Sequence, residues 1–274
     1  MNLIFFDLDG TLLNAASEIS PFTKETLTLL SEKNIAYTLA TGRTMLSAKS
    51  ILKGHDFDLP QVYNNGVTIW DPKTQKLTLE NTLSSAEIST IIDLAAVQGI
   101  TPFVHAIDDQ HCFIYHAAPR HQVEKELINT RYCHVKAKIF PIEALPANGQ
   151  VTNISMIGVA EAINPIWREL KNNPNLVAYS GPAIEGDQFR WMDILHCQAS
   201  KGAAVAKIKR RLGATNVICF GDSDNDLSMF ELADESYATE NAKDNLKEAA
   251  SVIIGPNYKD GVAHFLRERF SLEQ

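Results

Sequence analysis

The sequence has few cysteines and no excess of positive charge. Four cysteines occur among the 274 residues, none of them in a CxxC pair: Cys112, Cys133, Cys197 and Cys219. Free thiols in a reducing cytoplasm are the simplest interpretation. The formal net charge is −8 at pH 7, whereas binding of nucleic acid requires a basic face that neutralises phosphates. We therefore expect no nucleic-acid partner, although a small anion could still bind in a local positive pocket or at a metal.

Long hydrophobic runs are also missing. No run reaches the length that a membrane-spanning helix needs, and the stretch Met1–Asp7 has no basic leader, so we expect no signal peptide. Hydrophobic residues make up 45% and charged residues 21% of the chain, which is ordinary for a soluble globular protein. The length favours one large domain or two modest ones.

The first third of the chain alternates strand-like and helix-like segments. Leu3–Phe6 predicts a short buried strand, and Pro21–Lys33 predicts a helix with Ser20 as its N-cap. Ile35–Ala40 predicts a second strand, and Thr44–Leu52 a second helix. This alternation is typical of a parallel sheet covered by helices.

The middle of the chain has a different pattern, and the last part returns to alternation. Ser84-Ser85-Ala86-Glu87 resembles a capping box that opens a helix, and helices next to hairpin-like strands follow it. We therefore predict an α/β protein with a doubly wound, Rossmann-like parallel-sheet core, made of residues 1–82 and 192–274. An α+β module, residues 83–191, is inserted into this core.

Two aspartates stand directly after the first predicted strand, in the stretch Phe5-Phe6-Asp7-Leu8-Asp9-Gly10-Thr11. In a parallel α/β sheet, ligands bind at the carboxyl ends of the strands. Asp7 and Asp9 differ by two positions, so in extended backbone both side chains project to the same side. Two like charges so close are unfavourable without compensation. A divalent cation is the usual compensation, and ligation by oxygen alone favours Mg²⁺.

Three further segments carry groups that fit such a site. The acidic run Gly221-Asp222-Ser223-Asp224-Asn225-Asp226 follows an apolar strand and can supply the missing metal ligand. Thr41-Gly42-Arg43 follows Ile35–Ala40, and its hydroxyl and backbone N–H groups suit an anion. Lys201 begins a helix after the strand-like Phe189–Leu195, where its charge opposes the helix macrodipole unless an anion binds there too. Carboxylates with a metal, a hydroxyl donor and a lysine form a site for a phosphoryl group.

The order and spacing of four segments resemble the haloacid dehalogenase superfamily: Asp7–Thr11, Thr41–Arg43, Lys201 and Gly221–Asp226. The long insert between Arg43 and Lys201 is similar to the α/β cap domain of the Cof-type, subclass IIB sugar phosphatases. The resemblance covers the whole chain at the level of architecture, and the core motifs carry it. Three shorter motifs strengthen it: Asn64-Asn65-Gly66, Ser200-Lys201-Gly202 and Asn225-Asp226.

The resemblance implies catalytic and metal-binding roles for three aspartates. Asp7 is then the nucleophile that attacks phosphorus, and Asp9 is the general acid and base. An aspartate suits the first role because its carboxylate, with an unperturbed pKa of about 3.9, is already ionised and needs no activating base. A Mg²⁺ ion would bridge Asp7, the backbone carbonyl of Asp9 and Asp222.

The resemblance also implies residues that bind the phosphoryl group. Thr41, the backbone N–H of Gly42 and Lys201 would hold its oxygens. Asn225 would contact the phosphoryl group. Asp226 would either belong to the metal site, in its outer shell or as an alternative ligand, or orient Lys201. Further candidate substrate contacts are Arg43, Arg190 and the turn Asn64-Asn65-Gly66.

The implied function is that of a cytoplasmic, Mg²⁺-dependent phosphatase, a monomer or homodimer without a membrane partner. It would hydrolyse a small phosphorylated metabolite through an aspartyl-phosphate intermediate, and sugar phosphates are the first candidate substrates. A phosphosugar mutase of the phosphomannomutase type stays open as an alternative. A third alternative is a response-regulator receiver, which stores a phosphoryl group on an aspartate. It is disfavoured because receivers are far shorter than this chain, and because Asp9 would shorten the lifetime of a phosphoryl group on Asp7. A dinucleotide-binding enzyme is disfavoured because no GxGxxG follows the first strand.

Some of these residues also have plainer interpretations. Arg43 could simply pair with a carboxylate. The run Asp224–Asp226 could cap a helix, although capping does not explain why Asp222 stands at the strand end. The inserted module also has histidines and cysteines whose spacings match no common zinc pattern, so we expect no second metal site there: His105, His111, His116, His121 and His134, beside Cys112 and Cys133.

Overall fold

The computed structural model describes residues 1–55, 57–108, 111–133 and 137–272. Its strands are β1 Asn2–Phe6, β2 Ala36–Leu39, β3 Gln61–Tyr63, β4 Thr68–Asp71, β5 Lys76–Leu79, β6 Phe103–Asp108, β7 His111–His116, β8 Lys138–Pro141, β9 Val151–Val159, β10 Leu176–Ala183, β11 Gly186–His196, β12 Asn216–Gly221, β13 Glu235–Thr239 and β14 Val252–Ile254. Its helices are α1 Pro21–Glu32, α2 Met45–Lys49, α3 Ser85–Val97, α4 Gln122–Leu127, α5 Ala160–Leu170, α6 Lys201–Leu212, α7 Leu227–Phe230, α8 Asp244–Ala249 and α9 Gly261–Phe270. Short single turns of helix occur at Leu8–Leu12, Asn64–Gly66, Ile128–Tyr132, Ile142–Ala144, Asp224–Asp226 and Asn257–Lys259.

The described chain divides into two compact units. The first comprises Met1–Glu80 together with the residues from Ser200 onward, and the second comprises Asn81–Ala199. The sequence-based boundary between residues 191 and 192 falls inside β11. Because β11 pairs with β10 from Gly186 to His196 and with β9 over much of that length, the strand stays whole in the second unit. The division therefore comes after Ala199.

The first unit contains a five-stranded sheet in the order β14-β13-β12-β1-β2. All of its neighbouring strands run parallel, and β1 is an interior strand between β12 and β2. The register pairs Phe6 with Phe220 on one side and with Leu39 on the other. The carboxyl ends of β1, β2 and β12 therefore meet at one edge of the sheet.

Both faces of this sheet are covered by helices, because the side chains of β1 alternate between them. Ile4 and Phe6 lie in a cluster with residues of α1 and α9. Leu3 and Phe5 lie in a second cluster with residues of α6, α7 and α8. All four β1 side chains are fully buried, as expected for a central strand of a doubly wound parallel sheet. The predicted fold class of the core is confirmed.

A small antiparallel sheet, β3-β4-β5, extends the first unit. A parallel bridge between Ala40 and Val62 joins it to the end of β2. The turn Asn64–Gly66 connects β3 to β4. This placement brings the turn next to Thr41, whose carbonyl accepts a hydrogen bond from the Asn65 N–H at 3.0 Å.

The second unit contains a six-stranded sheet in the order β10-β11-β9-β6-β7-β8. Its strands pair antiparallel except for β7 and β8. Residues of α3 and α5 lie with Ile154 and Met192 in one apolar cluster. Residues of α4 lie with Phe103 and Ile157 in the other. The predicted inserted α+β module is thus a mostly antiparallel sheet with helices on both faces.

The strand that precedes Lys201 in the chain does not belong to the five-stranded sheet. The sequence predicts a strand at Phe189–Leu195, ahead of the helix that Lys201 begins. It lies in β11, an antiparallel strand of the second unit. Apolar content marked it correctly as a strand, but a short apolar run does not reveal which sheet will pair with it.

Among the described residues, no helix combines the length and the apolar character needed to cross a membrane.

Candidate active site

Asp7 begins the site at the carboxyl end of β1. Its backbone N–H donates to the Phe220 carbonyl at 3.0 Å, so the residue is fixed between β1 and β12. The side chain is buried. The chain then turns sharply at Gly10, which has φ +74° and where a Cβ atom would lie 2.3 Å from Asp222 Oδ2. Only glycine permits both this conformation and this close approach.

Lys201 enters the site from the first turn of α6. Ser200 is the N-cap, and its hydroxyl accepts the Ala203 N–H at 3.1 Å. The Lys201 side chain is fully buried, and its Nζ donates to Asp7 Oδ1 at 2.5 Å and to Asp226 Oδ1 at 2.7 Å. Burial alone would lower the pKa of Lys201, but the two carboxylates outweigh it and hold the pKa above its ordinary value.

Asp226 uses both of its carboxylate oxygens within the protein. Oδ1 binds Lys201, and Oδ2 accepts the backbone N–H groups of Asp222 and Ser223, each at 3.0 Å. The side chain has no exposed surface. Asp226 therefore orients Lys201 and closes the loop after β12.

Asp222 completes a cluster of three carboxylates. Ligand oxygens of Asp7, Asp222 and Asp226 all lie within 4.8 Å of one another. Burial, and next the charge of Asp226, raise the pKa of Asp222 to about 7, against an opposing effect of Lys201. Burial also raises the pKa of Asp7, although the Lys201 ammonium opposes this.

These residues fit a divalent cation. Three carboxylates lie close together, and two of them bind the one ammonium group, so negative charge is in excess at a buried place. The possible metal ligands are all oxygens. Asp226 is already bonded through both oxygens, which leaves Asp7 and Asp222 as the side chains able to bind the cation directly.

The segment after β2 lies beside this cluster through two asparagines. Asn225 Nδ2 donates to Asn65 Oδ1 at 2.8 Å. A Cβ atom at Gly42 would lie 3.1 Å from Asn65 Oδ1 and 3.5 Å from Asn225 Nδ2. Thr41 is buried. The structure thus brings Gly42 next to Asn225, whose buried Oδ1 has no hydrogen-bond partner among the residues that the structure describes.

The turn Asn64–Gly66 supports the start of α6. A Cβ atom at Gly66, where φ is +103°, would lie 2.2 Å from the carbonyl oxygen of Ser200. The backbone of this turn therefore rests directly against the residue before Lys201. This contact gives the asparagine-rich turn a structural role. Arg190, the other candidate substrate contact, belongs to β11 of the second unit.

Asp9 and Arg43 pair with each other. Arg43 donates from Nε to Asp9 Oδ2 and from a terminal nitrogen to Asp9 Oδ1, both at 2.6 Å. The Asp9 carboxylate is not part of the three-carboxylate cluster. The plainer interpretation of Arg43, a pair with a carboxylate, is the one seen here.

Asp224 is the one aspartate of its run that faces away from the cluster. It accepts hydrogen bonds from Lys243 Nζ at 2.6 Å and Asn245 Nδ2 at 2.7 Å. These donors hold the pKa of Asp224 below its ordinary value. Within the part of the chain that the structure describes, no second group of metal-ligating side chains comes together; His134 lies outside that part.

Comparison with known families decides the assignment. A sequence profile of haloacid dehalogenase-like hydrolases matches residues 4–266. The chain belongs to this family. The haloacid dehalogenase-like hydrolase described here is 29% identical to a 5-amino-6-(5-phospho-D-ribitylamino)uracil phosphatase of Bacillus subtilis, over 99% of both chains. It is 26% identical to a pyridoxal phosphate phosphatase of Escherichia coli, over 96% of this chain and 97% of that one.

Solved structures agree with this membership. A haloacid dehalogenase subclass IIB sugar phosphatase superposes over 100% of both chains with a TM-score of 0.78 at 20% identity, which shows the shared fold. The predicted membership of the haloacid dehalogenase superfamily is therefore confirmed, and the fold is shared with a subclass IIB member. The predicted enzyme class, a phosphoric monoester hydrolase, is confirmed by the hydrolase family together with relatives that are themselves named phosphatases.

Several supporting residues of this hydrolase gave no signal in the sequence. Thr239 and Asn241 both donate to the Gly10 carbonyl, at 3.1 and 2.8 Å, and so hold the turn after Asp9. Ser228 accepts the Gly202 N–H at 3.1 Å. Their partners are distant in sequence, and single polar residues without a motif carry no information about such contacts.

Proposed function

We propose that this chain is a Mg²⁺-dependent phosphatase that hydrolyses a small phosphorylated metabolite of the sugar-phosphate kind through an aspartyl-phosphate intermediate. One observation carries the proposal: the fully buried Lys201 ammonium binds both Asp7 and Asp226, beside a third carboxylate from Asp222. A nucleophilic carboxylate, an ammonium group and a cation site at one sheet edge suit transfer of a phosphoryl group.

Asp7 forms the covalent bond in this proposal. Lys201 binds one of its carboxylate oxygens and leaves the other to attack phosphorus. The bond between phosphorus and the leaving oxygen breaks, and Asp9, in its protonated form, gives its proton to that oxygen. The product is an alcohol and an aspartyl phosphate on Asp7.

Asp9 then acts as the base in the second step. It takes a proton from a water molecule, whose oxygen attacks phosphorus and displaces the Asp7 carboxylate as free phosphate forms. General acid–base catalysis of this kind contributes roughly 10²–10⁴-fold to a rate. Asp9 follows Asp7 by two residues, and the chain turns at Gly10 directly after it.

A bound Mg²⁺ would be held by Asp7, Asp222 and the Asp9 carbonyl, and would neutralise the repulsion between an anionic nucleophile and an anionic substrate. Thr41, the Gly42 N–H, Lys201 and Asn225 would bind the phosphoryl oxygens. The contact between Gly42 and Asn225, and the cationic Lys201 beside Asp7, support this set.

The named relatives support the substrate class. They act on a phosphorylated ribitylamino compound and on pyridoxal phosphate, and a structural neighbour is a sugar phosphatase. These substrates share a phosphate ester on a small organic alcohol. We therefore expect this chain to prefer such esters over phosphorylated proteins or nucleic acids, in keeping with its net charge of −8.

Release of inorganic phosphate from a panel of sugar phosphates, pyridoxal phosphate, nucleotides and an aryl phosphate tests the proposal. The expected result is release with Mg²⁺, loss of release with a chelator, and loss in Asp7→Asn. Asp224→Asn is the matched control, because Asp224 belongs to the same acidic run but faces Lys243 and Asn245.

Two outcomes contradict the proposal. Equal activity of Asp7→Asn and the wild type would exclude the aspartyl-phosphate route. Release from no substrate by the folded, Mg²⁺-loaded protein would exclude a general phosphatase, and transfer that starts only on addition of a sugar bisphosphate would favour a mutase.

A further inference from the structure

The Arg43–Asp9 pair is unusually well formed for an ion pair with exposed surface. Arg43 binds both oxygens of Asp9 through two parallel hydrogen bonds of 2.6 Å. About half of the Asp9 side chain is exposed, 51%, against 26% for Arg43. A two-point arginine–carboxylate pair fixes the position and the rotation of the carboxylate, which a single bond does not.

Arg43 is itself fixed by its backbone. Its N–H donates to Thr41 Oγ1 at 3.1 Å, and its carbonyl accepts the Asn64 N–H at 2.9 Å. The root of the arginine side chain is therefore held between the end of β2 and the turn that follows β3. Asp9, by contrast, has no other side-chain hydrogen bond among the described contacts that involve it, and its exposed side chain would otherwise exchange between rotamers.

The geometry points to Arg43 as a positioning residue for Asp9, an inference that rests on the proposed function of Asp9 as general acid and base. Arg43 sets the direction of the Asp9 carboxylate through the two-point pair. The edge of its guanidinium formed by Nε and one terminal nitrogen is bonded to Asp9, so that edge does not bind the phosphoryl group.

The pair leaves Asp9 able to move protons. A carboxylate has about four lone-pair positions, and a two-point arginine pair occupies two of them. One position remains on each oxygen, so Asp9 can exchange a proton with a leaving oxygen or a water molecule while Arg43 stays bound. An orienting partner that keeps the acid–base group in one geometry acts on the chemical step rather than on substrate binding.

Arg43→Gln and Arg43→Lys test this role, with Lys243→Gln as the control that breaks an exposed pair with Asp224. We expect Arg43→Gln to lower kcat about tenfold or more, a part of the roughly 10²–10⁴-fold effect of general acid–base catalysis. KM and the inhibition constant of inorganic phosphate should change less than about threefold. Arg43→Lys should recover only part of kcat, because an ammonium lacks the two-point fork.

A double-mutant cycle shows whether Arg43 acts through Asp9. In the Asp9→Asn background, Arg43→Gln should cause no further loss of kcat, since there is no acid–base group left to position. Additive losses in the cycle would overturn the inference. A tenfold rise in the phosphate inhibition constant with unchanged kcat would also overturn it, and would make Arg43 an anion ligand.

The side-chain carboxyl signal of Asp9 in a ¹³C NMR spectrum separates this inference from the proposed function. That signal should move in Arg43→Gln and stay in place in Lys243→Gln, whether or not a substrate is found. If the wild type releases no phosphate, the proposed function fails, and the NMR comparison then decides whether Arg43 holds Asp9. An Asp9 signal that is the same in Arg43→Gln and the wild type would contradict the pairing itself.

Discussion

The ammonium nitrogen of Lys201 lies 2.5 Å from Asp7 Oδ1, and neither side chain has more than 6% of its surface exposed. A lysine buried to this degree requires partners, since an unpaired charge away from water is costly. Asp226 supplies the second partner at 2.7 Å. The same contact places a cation against the predicted nucleophile and joins α6 to β1 and to the loop after β12.

Removal of this ammonium should destabilise the protein as well as the site. Lys201→Met leaves two buried carboxylates without their cation, and breaking a buried pair costs about 3–5 kcal/mol. Lys207→Met, in the same helix, breaks an exposed pair with Glu80 and should cost less than about 1 kcal/mol. Urea unfolding of the two variants measures the difference. Equal free energies of unfolding would show that the buried pairs contribute no more than the exposed one.

Binding of Mg²⁺ should depend on Asp222 and not on Asp224. Both belong to the same acidic run, but only Asp222 lies with Asp7 and Asp226, whereas Asp224 is bonded to Lys243 and Asn245. Mg²⁺ should raise the melting temperature of the wild type and of Asp224→Asn. It should do so much less for Asp222→Asn, because the stabilisation that a ligand gives at a fixed concentration falls as its affinity for the folded state falls. A similar rise in all three proteins would place the cation elsewhere.

Gly66 should tolerate no side chain, because its space is taken by backbone. A Cβ atom there would meet the Ser200 carbonyl at 2.2 Å, while one at Gly213 would meet nothing within 4 Å, and both residues have positive φ. Gly213→Ala therefore measures the conformational strain alone, about 1–2 kcal/mol. Gly66→Ala should lose more stability than this and also phosphatase activity, since the clash displaces the residue before Lys201. Unfolding curves of the two variants that coincide would refute the close approach.

His105 should make the stability of the protein depend on pH. Burial lowers its pKa to about 4, against about 6.5 in an unfolded chain. Between these values the unfolded state binds a proton that the folded state does not, so stability falls as the pH drops from 6.5 to 4. His105→Gln should remove about 1–3 kcal/mol of this decline. Unfolding free energies of both proteins at pH 4, 5, 6 and 7 give the comparison, and parallel pH profiles would count against a neutral His105 in the folded state.

Much of the fold was predictable because it depends on local patterns. The apolar run at Leu3–Phe6 became the interior strand β1, and Ser20 caps α1 by accepting the Thr23 N–H, as its position before Pro21 suggested. The predicted capping box at Ser84 and Glu87 is also present. These features involve neighbours within a few residues, so composition and spacing suffice to predict them.

The choice of sheet could not be read from the same patterns. Near its end, β11 is apolar like a strand in the five-stranded sheet. The strand nevertheless pairs with β9 and β10 in the sheet of the second unit. Strand partners are decided by packing over long distances in sequence. This is why the expected boundary at residue 191 differed from the division after Ala199.

The sequence by itself determined which residues are candidates for the site: aspartates after β1 and β12, a threonine after β2 and a lysine at the start of α6. Strand ends in a parallel sheet meet at one edge, so their order along the chain was enough to group them. Only the tertiary structure decided which of the charged side chains pair with one another. Lys201 binds Asp7 and Asp226, Asp224 pairs with Lys243, and Arg43 pairs with Asp9. Such pairings depend on ångström-scale distances and on burial, which residue spacing along a chain does not specify.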